Sequence, residues 1–221
     1  LIPVENGCFL AIGYSHKSSA NNQYFVAKIN SLGEVLWEKS FGQDGLHISW
    51  SGVLASDGGY LIAGSSKLSG PLGSGATDRT APSIGESDCW VVKIDQNGTK
   101  IWDKAYGTSY EDHCFSITAT SDGNYVLAGD TGETLTTTSF FAVKINDLGE
   151  EIWRKTFGGS GSDRCYQVIS TKDSGLLLVG SSASPGNSSQ VTDANRGVVD
   201  FWAVKTDSAG NKLWDRRFGG N

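Results

Sequence analysis

The sequence predicts an all-β protein made of four similar units, each with four antiparallel strands. The first observation is a repeat that occurs four times. Each copy has a lysine within a strand-like segment and a tryptophan nine residues after that lysine. The second is that apolar residues do not recur at the 3, 4 and 7 spacing of an amphipathic helix. The lysines of the repeat are Lys28, Lys93, Lys144 and Lys205, and its tryptophans are Trp37, Trp102, Trp153 and Trp214.

The strands of a unit are predicted from short runs of β-branched and aromatic residues bounded by turn-forming residues. In the second unit these runs lie at about 48–55, 59–65, 89–95 and 99–106. The first two are joined by Ser56-Asp57-Gly58-Gly59 and the last two by Asp95-Gln96-Asn97-Gly98. Glycine and asparagine tolerate positive φ, so both segments favour tight hairpin turns.

A four-stranded antiparallel unit of about 50 residues, repeated with few prolines, is typical of a β-propeller blade. The sequence therefore predicts a single four-bladed β-propeller, with a fragment of a larger propeller as the alternative. The predicted blades cover about 1–42, 43–107, 108–158 and 159–221. Leu1–Asn6 would form the innermost strand of the first blade, and about seven residues would be missing between the last residue and the first. The second and fourth blades carry longer loops, at 66–88 and 181–199.

Composition narrows the partners that the chain can have. Of its 221 residues, 38% are hydrophobic and 19% charged, which is typical of a folded domain. The 18 basic and 24 acidic residues give a net charge of −6, which argues against nucleic acid or an anionic membrane surface. No apolar run approaches the roughly 18 residues of a membrane span. Because the chain begins with leucine, we expect a processed or trimmed piece whose targeting segment is not visible.

The repeat resembles a known family. Its pattern is W-x-x-K-x-[DN]-x-x-G-x-x-x-W-x-x-x-x-G followed by D-G-x-Y-x-x-x-G, shown here by Trp90, Lys93, Asp95, Gly98 and Trp102, then by Asp122, Gly123, Tyr125 and Gly129. Over nearly the whole chain, this resembles a bacterial and archaeal secreted β-propeller repeat family of mostly unknown function. It is also similar to the tryptophan-docking turns of quinoprotein-type propellers, which have more blades. The sialidase Asp-box is not matched. The resemblance implies a secreted or cell-surface location and supplies no catalytic residues.

The repeated tryptophans and lysines are interpreted as structural. A ligand site has no need of four copies of one residue, whereas packing between repeated units does. A lysine inside an apolar strand needs acceptors, so each is expected to reach a carboxylate or strand-end carbonyls. The Asp-Gly turns are interpreted as turn chemistry alone. The cysteines lack metal-site spacing and are interpreted as free buried thiols: Cys8, Cys89, Cys114 and Cys165.

One set of polar residues lies just before or at the start of the innermost strands. The loop there shares its face with the long loops, so these side chains are expected to ring one mouth of the central channel and to form a ligand site. The candidate ligand-binding residues are His47, Tyr110, Glu111, Asp112, His113, Asp163 and Arg164. Ca²⁺ could be held by Glu111, Asp112 and Asp163, although aspartates in glycine-rich loops also cap backbone amides. No other cofactor is expected.

The sequence favours a non-catalytic binding or scaffold module, extracellular or on the cell surface, that recognises a glycan or a protein through this loop-rich face. No motif selects a nucleophile or a carboxylate pair, so no catalytic residue is predicted. The alternative is a hydrolase acting on carbohydrate, with acidic residues at the channel mouth. An acid there with a strongly raised pKa and a facing partner would favour the enzyme. A third possibility is a structural spacer in a longer surface protein.

Overall fold

The described residues of the chain form sixteen β-strands and one short 3₁₀ turn, at Glu5–Gly7. This computed structural model describes residues 1–18, 21–42, 45–69, 78–132, 134, 137–186 and 190–219. The strands are β1 (Ile2–Pro3), β2 (Phe9–Ser18), β3 (Asn21–Ile29), β4 (Val35–Phe41), β5 (Gly45–Leu54), β6 (Tyr60–Leu68), β7 (Asp88–Ile94), β8 (Lys100–Tyr106), β9 (Asp112–Ala119), β10 (Tyr125–Gly132), β11 (Thr138–Ile145), β12 (Glu151–Phe157), β13 (Asp163–Ser170), β14 (Leu176–Ser182), β15 (Asp200–Thr206) and β16 (Lys212–Phe218). The all-β prediction is confirmed.

Consecutive strands pair antiparallel in groups of four. β9 to β12 form one four-stranded sheet and β13 to β16 another. β1 to β4 and β5 to β8 follow the same order and are joined into one sheet by a single parallel bridge between Asn22 and Leu46. Each group is an antiparallel meander, which is what tight turns between successive short strands produce.

The strand predictions for the second unit are correct to within three residues at each end. The structure differs for the first unit, where Leu1–Asn6 was expected to form a full inner strand. Only Ile2–Pro3 pairs with β2, and the 3₁₀ turn follows at once, with Asn6 at φ 58°. Ile2 and Pro3 pair with β2 as Val53 and Leu54 pair with β6, so β1 is equivalent to the end of β5 next to the hairpin turn.

The core lies between consecutive units. Three apolar clusters join the first unit to the second, the second to the third and the third to the fourth. Trp37, Trp102 and Trp153 each pack at the edge of one of these clusters, as the packing interpretation predicts. Among the described residues, no cluster contains side chains of both the fourth and the first unit. Closure of a four-bladed ring therefore stays a prediction.

Three of the four repeated lysines, Lys93, Lys144 and Lys205, pair with carboxylates, as their place in apolar strands requires. Lys93 Nζ lies 2.7 Å from Asp57 Oδ2 and 2.5 Å from Asp147 Oδ2, so it links its own unit to the next. Lys144 pairs with Asp122 at 2.7 Å and Lys205 with Asp173 at 2.9 Å. The aspartates of the Asp-Gly turns were interpreted as turn chemistry alone, and this is wrong for Asp57 and Asp122, because each also neutralises a lysine.

Candidate functional site

A groove opens beside the first strands of the second, third and fourth units, β5, β9 and β13. It consists of two adjoining pockets of about 420 and 400 Å³. Both pockets are lined by Glu111, His113, Asp130 and Arg164. The first pocket also has Glu86 and Tyr110 on its wall, and the second has Leu46, Ile48 and Trp50. The sequence therefore located four of the lining residues: Tyr110, Glu111, His113 and Arg164.

The other three candidates do not line the groove. His47, Asp112 and Asp163 occupy equivalent positions in β5, β9 and β13, since their spacings of 65 and 51 residues equal those of Trp37, Trp102 and Trp153. Their side chains are completely buried. Successive side chains of a strand point to opposite faces, so a residue next to a lining position faces inward. The expectation that these three ring the channel mouth is corrected accordingly.

The buried residues hold the loops that join one unit to the next. Asp112 accepts hydrogen bonds from the Thr108 amide at 2.6 Å and from the Thr131 hydroxyl. Asp163 accepts from the Gly159 amide at 3.0 Å and the Ser184 hydroxyl at 2.7 Å. Both carboxylates thus cap amides and hydroxyls of their own loops, and the Ca²⁺ site with Glu111 stays a prediction.

His47 belongs to the core of the junction between the first two units. Its Nδ1 lies 2.6 Å from the Ser66 hydroxyl and its ring contacts Trp90 at a centroid distance of 5.4 Å. Gly42 covers it, since a Cβ added at Gly42 would lie 2.5 Å from the ring. His47 is therefore a packing residue.

An ionic cluster forms the polar side of the groove. The buried Asp130 lies at its centre, 3.1 Å from His113 Nδ1 and 3.3 Å from Arg164 Nε. Lys67 lies 3.1 Å from Glu86 and 4.0 Å from Glu111. Asp130 fixes the side chains of His113 and Arg164, and the exposed portions of His113, Arg164 and Glu111 leave hydrogen-bond donors and acceptors open to the groove.

Two pKa shifts describe the electrostatics of this region. Burial lowers the pKa of His113, but the hydrogen bond to Asp130 and the charges of Asp130 and Glu111 outweigh burial and raise the pKa above its ordinary value. Burial raises the pKa of Asp112, against the hydrogen bonds that Thr108 and Thr131 donate to it. His113 is thus the titratable group of the groove whose charge is sensitive near neutral pH.

A row of aromatic side chains extends from this cluster across β5, β9 and β13. Trp50 and Tyr166 are about half exposed, and both contact Phe115 at centroid distances of 5.8 Å, Trp50 edge-on and Tyr166 at a tilt of 50°. His113 stacks on Phe115 as well, at 5.8 Å with an interplanar angle of 15°. The row joins the ionic cluster to an apolar surface and was missed in the sequence.

Each aromatic residue of the row is the extra residue of a β-bulge. The registers of β5, β9 and β13 skip Trp50, Phe115 and Tyr166 respectively, and each bulge turns the side chain away from the sheet. Opposite each bulge stands a glycine of the repeat: Gly64, Gly129 or Gly180. A Cβ at any of these glycines would collide with the carbonyl oxygen of the residue two before the aromatic one, so the close approach requires glycine.

The signal for the aromatic row was present in the sequence. Trp50, Phe115 and Tyr166 are spaced by 65 and 51 residues, in register with the repeated tryptophans. Unlike those tryptophans, they fall in strands whose alternation gives no reason to expect an exposed ring. The bulge alters that alternation, and only the paired glycine would have revealed it.

The four cysteines are free and buried, as predicted. Within the described ranges, no group of three or more His, Cys, Asp or Glu side chains could hold a metal ion. In the same part of the chain, no helix is long and apolar enough to cross a membrane. The sequence Asn187-Ser188-Ser189 matches the acceptor pattern for N-glycosylation, and residues 187–189 lie outside the described part of the chain.

No protein-family model matches this sequence. Comparison with curated proteins likewise gives no significant match. The geometry of the groove therefore supplies the argument for function.

Proposed function

We propose that this protein is a non-catalytic binding module of the β-propeller type, extracellular or on the cell surface, which recognises a glycan at the groove. The observation that carries the proposal is the row formed by the exposed Trp50 and Tyr166 on either side of the partly buried Phe115, beside the ionic cluster around Asp130. In the same proposal the four sheets are propeller blades, and β5, β9 and β13 are inner strands, which lie side by side.

A carbohydrate suits both halves of this surface. A sugar ring has flat faces of C–H groups that pack on an aromatic ring, and an edge of hydroxyl groups that need hydrogen-bond partners. Trp50 and Tyr166 offer the flat surfaces, while His113, Arg164 and Glu111 offer donors and acceptors in the adjoining pockets. Such a site combines an apolar wall with a few fixed polar groups, as small-molecule sites generally do.

The test is a glycan array probed with the whole chain and with two variants. Trp50→Ala and Tyr166→Ala each remove one exposed ring, and we expect each to weaken binding of any selected glycan at least about tenfold. Tyr14→Ala is the control, because Tyr14 is exposed to a similar degree but lies on β2, where its ring contacts His16 and not Phe115. A selected glycan that both groove variants bind as tightly as the parent would contradict the proposed site.

The alternative is a carbohydrate hydrolase. Glu86 and Glu111 both line the first pocket, which gives this alternative two exposed carboxylates. Asp112, whose pKa is raised, supports it less, because that carboxyl is buried beneath the loop. The alternative predicts release of reducing ends from a bound oligosaccharide, abolished in Glu111→Gln. Binding without release over a long incubation supports the non-catalytic module.

A further inference from the structure

The junction between consecutive units has two complementary sides that recur three times in this chain. One side is the tryptophan of the fourth strand, and the other is the glycine turn between the third and fourth strands of the next unit. A Cβ added at Gly98 would lie 3.1 Å from the Trp37 ring, one at Gly149 2.9 Å from Trp102, and one at Gly210 3.1 Å from Trp153. At the first two junctions the indole N–H also donates to a carbonyl of that turn, at 3.2 Å.

In the fourth unit, the tryptophan side of this junction is exposed to solvent. Trp214 is 42% exposed, Phe201 49% and Phe218 56%. Their equivalents in the other units are buried or partly buried. The equivalents of Phe201 and Phe218 are each at most 5% exposed. Those of Phe201 are Tyr24, Cys89 and Phe140, and those of Phe218 are Phe41, Tyr106 and Phe157. We name Phe201, Trp214 and Phe218 the tryptophan face.

In the first unit, the glycine side of the same junction is exposed. Gly33, with φ 85°, has no heavy atom within 4 Å of the position of a Cβ, among the residues that the structure describes and apart from its chain neighbours. Phe9 is 41% exposed, whereas its equivalents are at most 2% exposed: Tyr60, Tyr125 and Leu176. We name Phe9 and the turn around Gly33 the glycine face.

We propose that the tryptophan face of one chain docks on the glycine face of a second copy, and so forms the junction a fourth time. The two faces are the two different sides of the junction that this chain already forms three times. Because these sides fit one another at the internal junctions, the tryptophan face and the glycine face are expected to fit one another as well. Because the halves differ, the contact is head-to-tail. Two copies joined at both ends would close a ring of eight sheets, within the usual size of propellers.

The first experiment measures native mass between about 1 and 100 µM, a range that spans a micromolar dissociation constant. We expect the parent chain to form dimers or larger closed assemblies. Trp214→Ala is expected to weaken association at least about tenfold, because it removes the central ring of the tryptophan face. Leu213→Ala is the matched control. Leu213 is the adjacent residue on β16, and it is exposed like its equivalents Leu36, Ile101 and Ile152, so it points away from the junction.

The second experiment blocks the opposite face. Gly33→Asn keeps the positive φ, which asparagine tolerates, and places a side chain where the tryptophan would pack. Gly58→Asn is its control, because Gly58 has φ 84° and also no heavy atom within 4 Å, but lies in a different turn. We expect Gly33→Asn to weaken association as Trp214→Ala does, and Gly58→Asn to leave it unchanged.

Mixing the two deficient variants tests the head-to-tail arrangement directly. Trp214→Ala retains an intact glycine face and Gly33→Asn an intact tryptophan face, so an equimolar mixture can form one good junction. We expect dimers in the mixture at concentrations where each variant alone is a monomer. A parent chain that is monomeric throughout the range overturns the proposal, as does association that neither variant weakens or a mixture that stays monomeric.

Discussion

At the scale of single residues, a shift of one position decides whether a side chain is buried and holds a loop or lines the groove. Asp112 is buried and holds the Thr108 amide, while His113, the next residue, lines both pockets. Asp163 and Arg164 repeat this division one unit later. The period of two in a strand therefore separates polar neighbours that look equivalent in the sequence.

His113 should make the stability of the protein depend on pH. Its pKa is raised in the folded state by Asp130 and Glu111, so its favourable interaction is fully present below its unfolded pKa near 6.5 and is lost as pH rises through the folded pKa. We expect His113→Gln to lower the free energy of unfolding by about 1 kcal/mol at pH 5.5 and by less at pH 9. Urea unfolding at both pH values measures this difference.

The control for this measurement is His16→Gln, since His16 is exposed on β2 and lies outside the groove. A loss for His113→Gln that is the same at both pH values would show that the imidazole acts by packing on Phe115, not by its charge.

At the scale of elements, the strand pattern was predictable and the site was predictable only in part. Alternation, turn residues and the repeat predicted the strands of the second unit to within three residues, because each depends on local sequence. Tyr110, Glu111, His113 and Arg164 were found because the loop before an inner strand is expected at the channel mouth. Asp130 was missed because it lies on the second strand, and only pairing across the sheet brings it to His113.

The repeated lysines differ in the number of carboxylates that they contact, and we expect their contributions to stability to differ in the same order. Lys93 contacts carboxylates of two units, Lys144 contacts one of its own unit, and Lys28 has no carboxylate within 4 Å in the described part of the chain. In the first unit Asn6 stands at the place of Asp57, which explains the difference.

Replacing each of these lysines by methionine should therefore destabilise the protein to different degrees. We expect a loss of about 2 kcal/mol for Lys93→Met, because Asp57 and Asp147 are left facing one another, and about 1 kcal/mol for Lys144→Met. Lys28→Met is the control and should change stability by less than about 0.5 kcal/mol. Thermal unfolding of the three variants measures the order, and a loss for Lys28→Met as large as that for Lys93→Met would contradict it.

At the scale of the whole molecule, stability is spread over junctions between neighbouring units, as in other repeat proteins. Each interior unit contributes side chains to two apolar clusters, and the first and fourth units contribute to one each. The uncovered faces at the two ends therefore mark the least supported units of the array, and any contact that covers them should stabilise the chain by mass action.

The same substitution at two equivalent tryptophans distinguishes closure within one chain from contact between chains. Trp102 lies at the second junction, and its indole donates to the Asp147 carbonyl at 3.2 Å, whereas Trp214 is exposed. We expect Trp102→Ala to cost about 3 kcal/mol and Trp214→Ala less than about 1 kcal/mol, measured by denaturant unfolding of the monomer at low protein concentration. Equal losses under these conditions would mean that the fourth junction forms within a single chain, as a four-bladed ring requires. A loss for Trp214→Ala that grows with protein concentration would instead place that junction between two copies.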